Sequence, residues 1–307
     1  MTQSTFPFVS VIVPVFNDAI RLKQCLFALE QQTYPHHRYE VVVVDNGSDV
    51  DQHIAELVRP FEQATLAYES QPGSYAARNR GIVVAKGAVI AFTDADCTPA
   101  LDWIEQGVRA LLANPECGFV AGKIEPSFLD KDHPTPIELY ESLWYVLPQQ
   151  EFVEKHHFGA TANLFTFARV IQQVGAFDGS LKSNGDREWG QRVYAAGYQP
   201  VYAETVCVTH PARHSLQQLY ARARRIAGGR YDLQKKQPFL KRNSLFIFNL
   251  VKYLIAPILM VGFNLFLDRR LKTVDQKIQV SLVMFFVSYV YVWEMLRLKC
   301  GGTSYRG

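Results

Sequence analysis

The stretch Val89–Ile104 reads VIAFTDADCTPALDWI, an apolar run that ends abruptly in two carboxylates, Asp94 and Asp96, with one alanine between them. The run predicts a buried strand, and its ending asks what the two acids are for. Side chains alternate faces along a strand, so residues two apart point the same way. A chain that stays extended past Thr93 brings Asp94 and Asp96 together, and like charges held close repel unless a cation or donors offset them. A divalent metal carrying a phosphate would do so, because Mg²⁺ takes one or two carboxylates plus substrate phosphates. The competing reading is a helix start, with Asp96 or Thr98 as the cap and Pro99 in the first turn.

Outward from this stretch, strands and helices alternate. Val9–Val15 (VSVIVPV) is a continuous apolar run suited to burial on both faces. Asp18 is placed to cap a helix whose apolar positions include Ile20, Leu22, Cys25, Leu26 and Leu29. Tyr39–Val44 (YEVVVV) is a second buried strand, ending in Asp45-Asn46-Gly47-Ser48. A helix over 51–61, a short strand near Leu66, a helix over 74–86, the strand that delivers Asp94 and a helix over 101–112 follow. This succession predicts an α/β fold with a mostly parallel, doubly wound sheet, right-handed crossovers and helices on both faces. Ligands of such sheets sit beyond the carboxyl ends of the strands. Pro14–Asn17, Asp45–Ser48 and Asp94–Asp96 all fall there. No GxGxxG follows the first strand and no GxxxxGK[ST] occurs, so the usual phosphate cradles are missing and carboxylates with a metal are the expected substitute.

Composition narrows the class. The 307 residues are 48% hydrophobic and 20% charged, an ordinary globular balance. The five cysteines are scattered without a CxxC pair, which argues against a zinc site or a disulfide framework. The N-terminus lacks a basic n-region and reads as a first strand, not a signal peptide. The net charge of +3 conceals a division: residues 1–220 hold 16 Lys+Arg against 25 Asp+Glu, and residues 221–307 hold 16 against 4. Within that basic tail, 245–267 and 278–296 are each about as long as a bilayer span of roughly 20 residues. Arginines and lysines from Arg222 to Arg242 precede them, a cluster suited to anionic lipid. Membrane is the expected partner, and nucleic acid is not. The basic linker between the two stretches disfavours translocation, so a spanning hairpin and an in-plane hairpin both stand open.

With VSVIVPVFN, YEVVVVDNGS, GSYAARNRGI, IAFTDADCTP and GDREWGQR in order, residues 8–230 resemble the GT-A glycosyltransferases of the large inverting family two that builds bacterial polysaccharides. The resemblance implies a Rossmann-like GT-A domain over 1–230, with a nucleotide-binding half at about 1–122 and an acceptor half at 123–230. A basic linker and two membrane-associated helices occupy 231–307. It implies that Pro14, Phe16, Asn17 and Asp45 hold the nucleoside, that Arg78 lies near the donor phosphates, and that Asp94 reaches ribose or a metal-bound water. Asp96 would ligate Mg²⁺ or Mn²⁺, with His210 as a further ligand. Asp45 could equally be an Asx-turn residue, Arg78 a surface helix arginine, and His210 a purely structural histidine. Asn79 reads as structural and Cys97 as core packing. Ala160 and Asn163 are the implied acceptor contacts, and Trp189 packs over the acceptor or in the core.

Asp186 matches the second acid of the family's acidic pair, with Gly185 replacing the first. Asp186 is therefore the expected general base and Glu188 its alternate; a plain helix cap is the rival role for Asp186. Arg222 and Arg225 resemble a signature of processive members that clamps the departing diphosphate, except that Ile226 replaces its tryptophan. The implied activity is metal-dependent, inverting hexosyl transfer from a nucleotide-sugar, UDP-linked, to a lipid-linked or saccharide acceptor in cell-envelope glycan synthesis. The expected location is the cytoplasmic face of the cell membrane. A sugar-nucleotide nucleotidyltransferase on a similar sheet, or a non-catalytic membrane-bound scaffold, are the alternatives.

Overall fold

In a computed structural model of the chain, residues 6–144, 147–235, 238–260, 268 and 270–305 are described. Two compact units interleave along the sequence. The first comprises Met1–Pro126, Leu147–Ser180 and Gly185–Pro211; the second comprises Ser127–Val146, Leu181–Asn184 and Ala212–Gly307. This division differs from the expected boundary at residue 230, because residues 212–230 group with the tail.

The first unit carries strands β1 (Val9–Val15), β2 (Tyr39–Asp45), β3 (Ala64–Tyr68), β4 (Val89–Thr93), β5 (Thr98–Pro99), β6 (Cys117–Ser127), β7 (Asn163–Phe167) and β8 (Gln199–Pro211). They form one sheet in the order β3-β2-β1-β4-β7-β6-β8-β5. The β3-β2-β1-β4 half is parallel, as the alternating pattern predicts. Beyond it the sheet turns antiparallel, β7 pairing with β4 and with β6. All of β2, β4 and β7 is buried, and all of β1 but Pro14, which requires cover on both faces. Pro14 lies past Ile12, the last β1 residue paired with β4, so its missing N–H costs the sheet little there.

Helices α1 (Ala19–Glu30), α2 (Ile54–Val58), α3 (Ser74–Val84), α4 (Trp103–Ala113), α6 (Gln149–His156), α7 (Ala168–Val174) and α8 (Gly185–Ala195) belong to this unit; α5 belongs to the second. α3 packs on β1–β3 and α4 on β7 and β8. Several expectations are corrected. Ile20 is 79% exposed, whereas Leu22, Cys25, Leu26 and Leu29 form the buried face of α1. Asp18 occupies the N-cap position without capping; its carboxylate takes Arg21 Nε at 2.9 Å instead. The helix expected over 51–61 is a 3₁₀ turn at Val50–Gln52 and the five-residue α2, broken by His53 at φ +47°. In the segment that holds Ala160 and Asn163, the strand runs over Asn163–Phe167.

Below the sheet's switch in direction sits one amide. Asn163 is fully buried; its Nδ2 donates to the carbonyls of Lys123 (2.8 Å) and Val206 (2.9 Å), and its Oδ1 accepts from Trp103 Nε1 (2.8 Å). Gly122 is needed beside it, since a Cβ there would lie 2.2 Å from the Val206 oxygen and 2.4 Å from Asn163 Nδ2.

The second unit is helical among its described residues: α5 (Pro136–Trp144), α9 (Leu216–Lys235), α10 (Phe239–Met260) and α11 (Val274–Lys299). The apolar stretch expected at 245–267 is helical to Met260, and 261–267 lie outside the described residues; the stretch 278–296 falls within α11. A capping box starts α11, with Thr273 and Gln276 each accepting the other's backbone N–H. α11 packs against α9, α5 and α10 around Tyr140, Leu219, Ala223, Val280, Val287 and Tyr291. It is the one described helix long and apolar enough to cross a membrane, and half of its apolar window is buried.

Candidate active site

The carboxyl ends of β1, β2 and β4 lie side by side, and the polar residues expected of a ligand site follow them. After β1, Phe16 is exposed and Asn17 takes a left-handed backbone, φ +52°, which asparagine tolerates better than most residues. Asn17 braces the next loop: its Nδ2 donates to Asp49 Oδ2 (2.9 Å), and its Oδ1 accepts the Asp49 N–H (2.7 Å). Asp45, nearly buried at the end of β2, accepts the N–H of Ser48, three residues on, at 2.9 Å, which closes the turn at DNGS in place of an Asx turn. That bond uses one lone pair of Oδ1, so the carboxylate keeps acceptor capacity. Asn46, which sequence reasoning passed over, ties this turn to the loop before α3 through the carbonyls of Glu69 (2.9 Å) and Gln71 (2.8 Å).

The Asp94/Asp96 pair departs from expectation. β4 stops at Thr93, and the chain turns, with Cys97 N–H donating to the Asp94 carbonyl at 3.0 Å. The two carboxylates take different partners as a result. Asp94 pairs with Arg78. Asp96 faces His210 Nε2 at 3.5 Å and Arg21 Nη1 at 3.9 Å. Arg78 is no surface arginine: it is 3% exposed, lies over the Tyr75 ring at 5.6 Å, and its Nε is buried with no hydrogen-bond partner among the described residues. An unpaired buried donor is costly and rare, and this one lies on the side chain that holds Asp94. The helix cap at Asp96 or Thr98 is replaced by strand: Thr98 and Pro99 pair antiparallel with Thr209 and Val208, while α4 starts only at Trp103. That pairing carries His210 alongside Asp96.

His210 Nδ1 lies 2.9 Å from the Pro211 carbonyl, which can only accept, so Nδ1 carries a proton. In the neutral ring Nε2 is then an acceptor facing a carboxylate. Two acceptors at 3.5 Å call for a proton or a cation between them. Asp96, His210 and Cys97 offer ligand atoms within 4.8 Å of one another. Burial, with Asp96 and Asp94 nearby, holds the Cys97 thiol well above its ordinary pKa, and cations such as Mg²⁺ or Mn²⁺ prefer carboxylate and other oxygen donors to sulfur. The fit to a divalent cation therefore rests on one carboxylate and one imidazole, with coordination left for phosphate oxygens.

Asp186 lies inside the first turn of α8, which begins at Gly185, and not at a cap position before it. Its Oδ1 accepts the Arg187 N–H (2.9 Å) and the Tyr75 hydroxyl (3.2 Å). Burial raises its pKa above the ordinary carboxylate value; the Arg187 bond, the Arg78 charge and the Tyr75 bond oppose the rise, and the charge of Asp94 adds to it. Asp186 thus shares one electrostatic neighbourhood with Arg78 and Asp94. Glu188 is held differently, gripped by Arg192 through Nε (2.9 Å) and Nη2 (3.1 Å). The glycine that replaces the family's first acid also has a structural reason: a Cβ at 185 would lie 2.7 Å from the Tyr75 ring. Tyr75, absent from the sequence-based site, fills that space and bonds the remaining acid. Its position one turn before Arg78 in SYAARNRG was the available signal.

Two expected acceptor contacts lie in the core, as does Trp189, for which core and acceptor both stood open. Asn163 has its amide committed to Trp103, Lys123 and Val206. Ala160 is 4% exposed, and its backbone N–H and carbonyl bond the Gln149 side chain. Trp189 is fully buried against Phe119 and Phe177, with Nε1 donating to the Gly175 carbonyl at 2.9 Å. Asn79 is structural as expected, exchanging bonds with the backbone of Phe177. Arg222 and Arg225 belong to the second unit, where Arg222 and Arg213 pair with the buried Glu141 at 3.1 and 2.9 Å.

Comparison with known proteins places this geometry. The sequence pattern described as "Glycosyl transferase family 2" matches residues 10–175. Glycosyltransferase AglE of Haloferax volcanii is 41% identical over 215 residues, 68% of this chain and 69% of that one. The pre-mycofactocin glycosyltransferase of Mycobacterium tuberculosis is 27% identical over 237 residues; the match covers 75% of this chain but about half, 48%, of that protein. The mannosyltransferase PcManGT from Pyrobaculum calidifontis, solved in complex with GDP-Man and Mn2+, superposes with a TM-score of 0.64 at 18% identity, covering 97% of this chain and 89% of that one. That likeness shows the shared GT-A fold. The strand-end carboxylates and the family match over more than half of the sequence lead to one assignment: the chain belongs to glycosyl transferase family 2.

Proposed function

We propose that the chain transfers a sugar, with inversion, from a UDP-linked donor to a lipid-linked or saccharide acceptor at the cytoplasmic face of a membrane. The observation that carries the reading is Asp186: an acid with a raised pKa, oriented by Tyr75, beside the Arg78–Asp94 pair. Inversion needs a single base. Asp186 takes the proton of the acceptor hydroxyl as its oxygen attacks the anomeric carbon, the new C–O bond forms, and the bond to the nucleoside diphosphate breaks. Asp45 keeps acceptor capacity for a base N–H or ribose hydroxyl. Arg78 offers its unpaired Nε to an anion. Asp96 and His210 would hold a divalent cation, Mg²⁺ or Mn²⁺, whose chemistry is to neutralise charge developing on the leaving diphosphate.

The structural neighbour's GDP-Man makes guanine donors the natural second arm of a test. Nucleotide release is measured from UDP- and GDP-sugars with Mn²⁺, with and without bacterial lipid extract. Release that requires extract and UDP-sugar supports the proposal. Release from GDP-sugars alone moves the donor assignment, and acceptor-dependent release unchanged in Asp186→Asn overturns the catalytic one.

A further inference from the structure

We propose that the second unit docks in the plane of an anionic bilayer surface through the outer face of α11, with α10 contributing a second stripe, and that α11 does not cross the bilayer. The inference rests on the reading that this enzyme works at a membrane, and it specifies how.

Along α11 the exposed apolar residues are Val274, Ile278, Leu282, Phe285, Tyr289, Trp293 and Leu296, in steps of four, four, three, four, four and three. Those steps keep to one side of a helix. α10 exposes a broader apolar face, with Ile247, Phe248, Val251, Leu254, Ile255, Ile258 and Leu259. Exposed stripes of this extent mark a contact surface. Tyr289 and Trp293, apolar bodies with one polar tip, suit the headgroup boundary.

The other side of α11 settles its orientation. It is committed to α9, α5 and α10, and it buries Glu294, 1% exposed, against Arg224 of α9 (3.2 Å) and Arg297 (2.6 Å). α9 also carries Arg222, Arg225, Arg230, Asp232 and Lys235 within its 20 residues. A spanning α11 would have to shed this partner or draw its charges into hydrocarbon, where ionised side chains are strongly disfavoured. An in-plane α11 buries only its outer stripe and keeps its packing. Cations frame that stripe: Lys272 and Lys277 at its start, Lys299 at its end, and exposed Lys252 on α10, against Asp275. This arrangement complements anionic headgroups. Two copies paired along the same face would set like charges against one another at both ends, so lipid is the better occupant.

The full-length protein is floated with phosphatidylcholine vesicles with and without phosphatidylglycerol. Binding should require the anionic lipid, and Trp293 fluorescence should be quenched by lipids brominated near the headgroup, a signal lost in Trp293→Phe. Leu282→Glu and Tyr289→Glu, both at exposed positions, should each weaken binding by roughly 10-fold or more, the scale of one buried leucine-sized side chain, with an unchanged melting curve. Cys300, an exposed thiol just past α11, reports topology. A membrane-impermeant maleimide added outside should label both Cys300 and an Asp275→Cys variant. Protection of one end with labelling of the other means that α11 crosses, which overturns the in-plane inference and leaves the membrane reading intact. No binding to any vesicle overturns the membrane reading itself. A vesicle-independent dimer dissolved by Leu282→Glu assigns the face to a second copy and also overturns the proposal.

Discussion

The two units dispose their apolar runs in opposite ways. The first hides them: β2 and β4 are buried throughout, and their carboxyl ends lead into Asp45, Asp94 and Asp96. The second buries acids, Glu138, Glu141 and Glu294, and displays leucines, isoleucines and aromatics along α10 and α11. An apolar run therefore does not by itself say where it is buried. A strand is covered on both sides by its own unit, whereas α11 is covered on one side and exposed on the other. The lesson is that burial must be argued from the partner.

The largest expected effect tests the acids of the first unit. Asp186→Asn keeps the size, so turnover with acceptor should fall by roughly 10²–10⁴, the range for losing a general base, while calorimetric donor binding stays near the parent value. A normal turnover in Asp186→Asn with a dead Glu188→Gln would move the base to the other acid. The raised pKa of Asp186 adds a pH signature. The base works only when ionised, so the acid limb of kcat/KM should lie above the ordinary carboxylate range. Tyr75→Phe removes a bond that favours the ionised form and should move that limb further up.

Next come two substitutions that contrast core with surface. Ile12→Ala, at a fully buried β1 position, should cost about 2–5 kcal/mol in denaturant unfolding. Asn163→Ala removes three buried hydrogen bonds and should destabilise by about 3 kcal/mol, given the penalty for orphaned partners. If instead Asn163→Ala melts normally and raises only the KM for acceptor, the amide reaches the substrate after all.

Smaller still is the acid response of the second unit. Burial alone would raise the pKa of Glu294, but Arg297 and Arg224 outweigh it and hold it below the ordinary 4.5. A depressed carboxylate contributes stability that is fully present above the unfolded value and is lost as pH falls through the folded one. Unfolding followed from pH 6 downward should show that loss below about 4.5, and Glu294→Gln should flatten it. The smallest effect belongs to the displayed face. Leu282→Ala should change stability by no more than about 0.5 kcal/mol. A loss as large as that of Ile12→Ala would erase the distinction between the units.

Much of this was legible in the sequence, and what was not has a common cause. The runs at Val9–Val15, Tyr39–Val44 and 89–92 announce buried strands because they are apolar and largely β-branched, interrupted only by Ser10, Pro14 and Glu40, and Asp45-Asn46-Gly47-Ser48 announces its turn. Local patterns carry that information. The short α2 was misjudged because His53 breaks the helix with a backbone angle that no composition betrays. The partner of Asp96 depends on β5 meeting β8, residues more than a hundred positions apart. The burial of Arg78 likewise follows from the packing of α3, and the isolated helix would show it as an ordinary surface arginine. Asn163 was expected at the site only because its segment resembles the family's acceptor-lining one; three backbone and side-chain partners from distant segments claim its amide.

That amide has a consequence for the order in which the protein can be made. Its partners sit at Trp103, Lys123 and Val206, so a nascent chain emerging from the ribosome has no acceptor for one of its N–H groups until β8 has been translated. The parallel strands can pair early, from neighbouring segments. The antiparallel half must wait, and until then β7 would enclose a donor with nothing to bond, which buried structure resists. Release of the chain anywhere between residues 175 and 205 would supply every segment of the family match and still leave the sheet unable to close around its own interior.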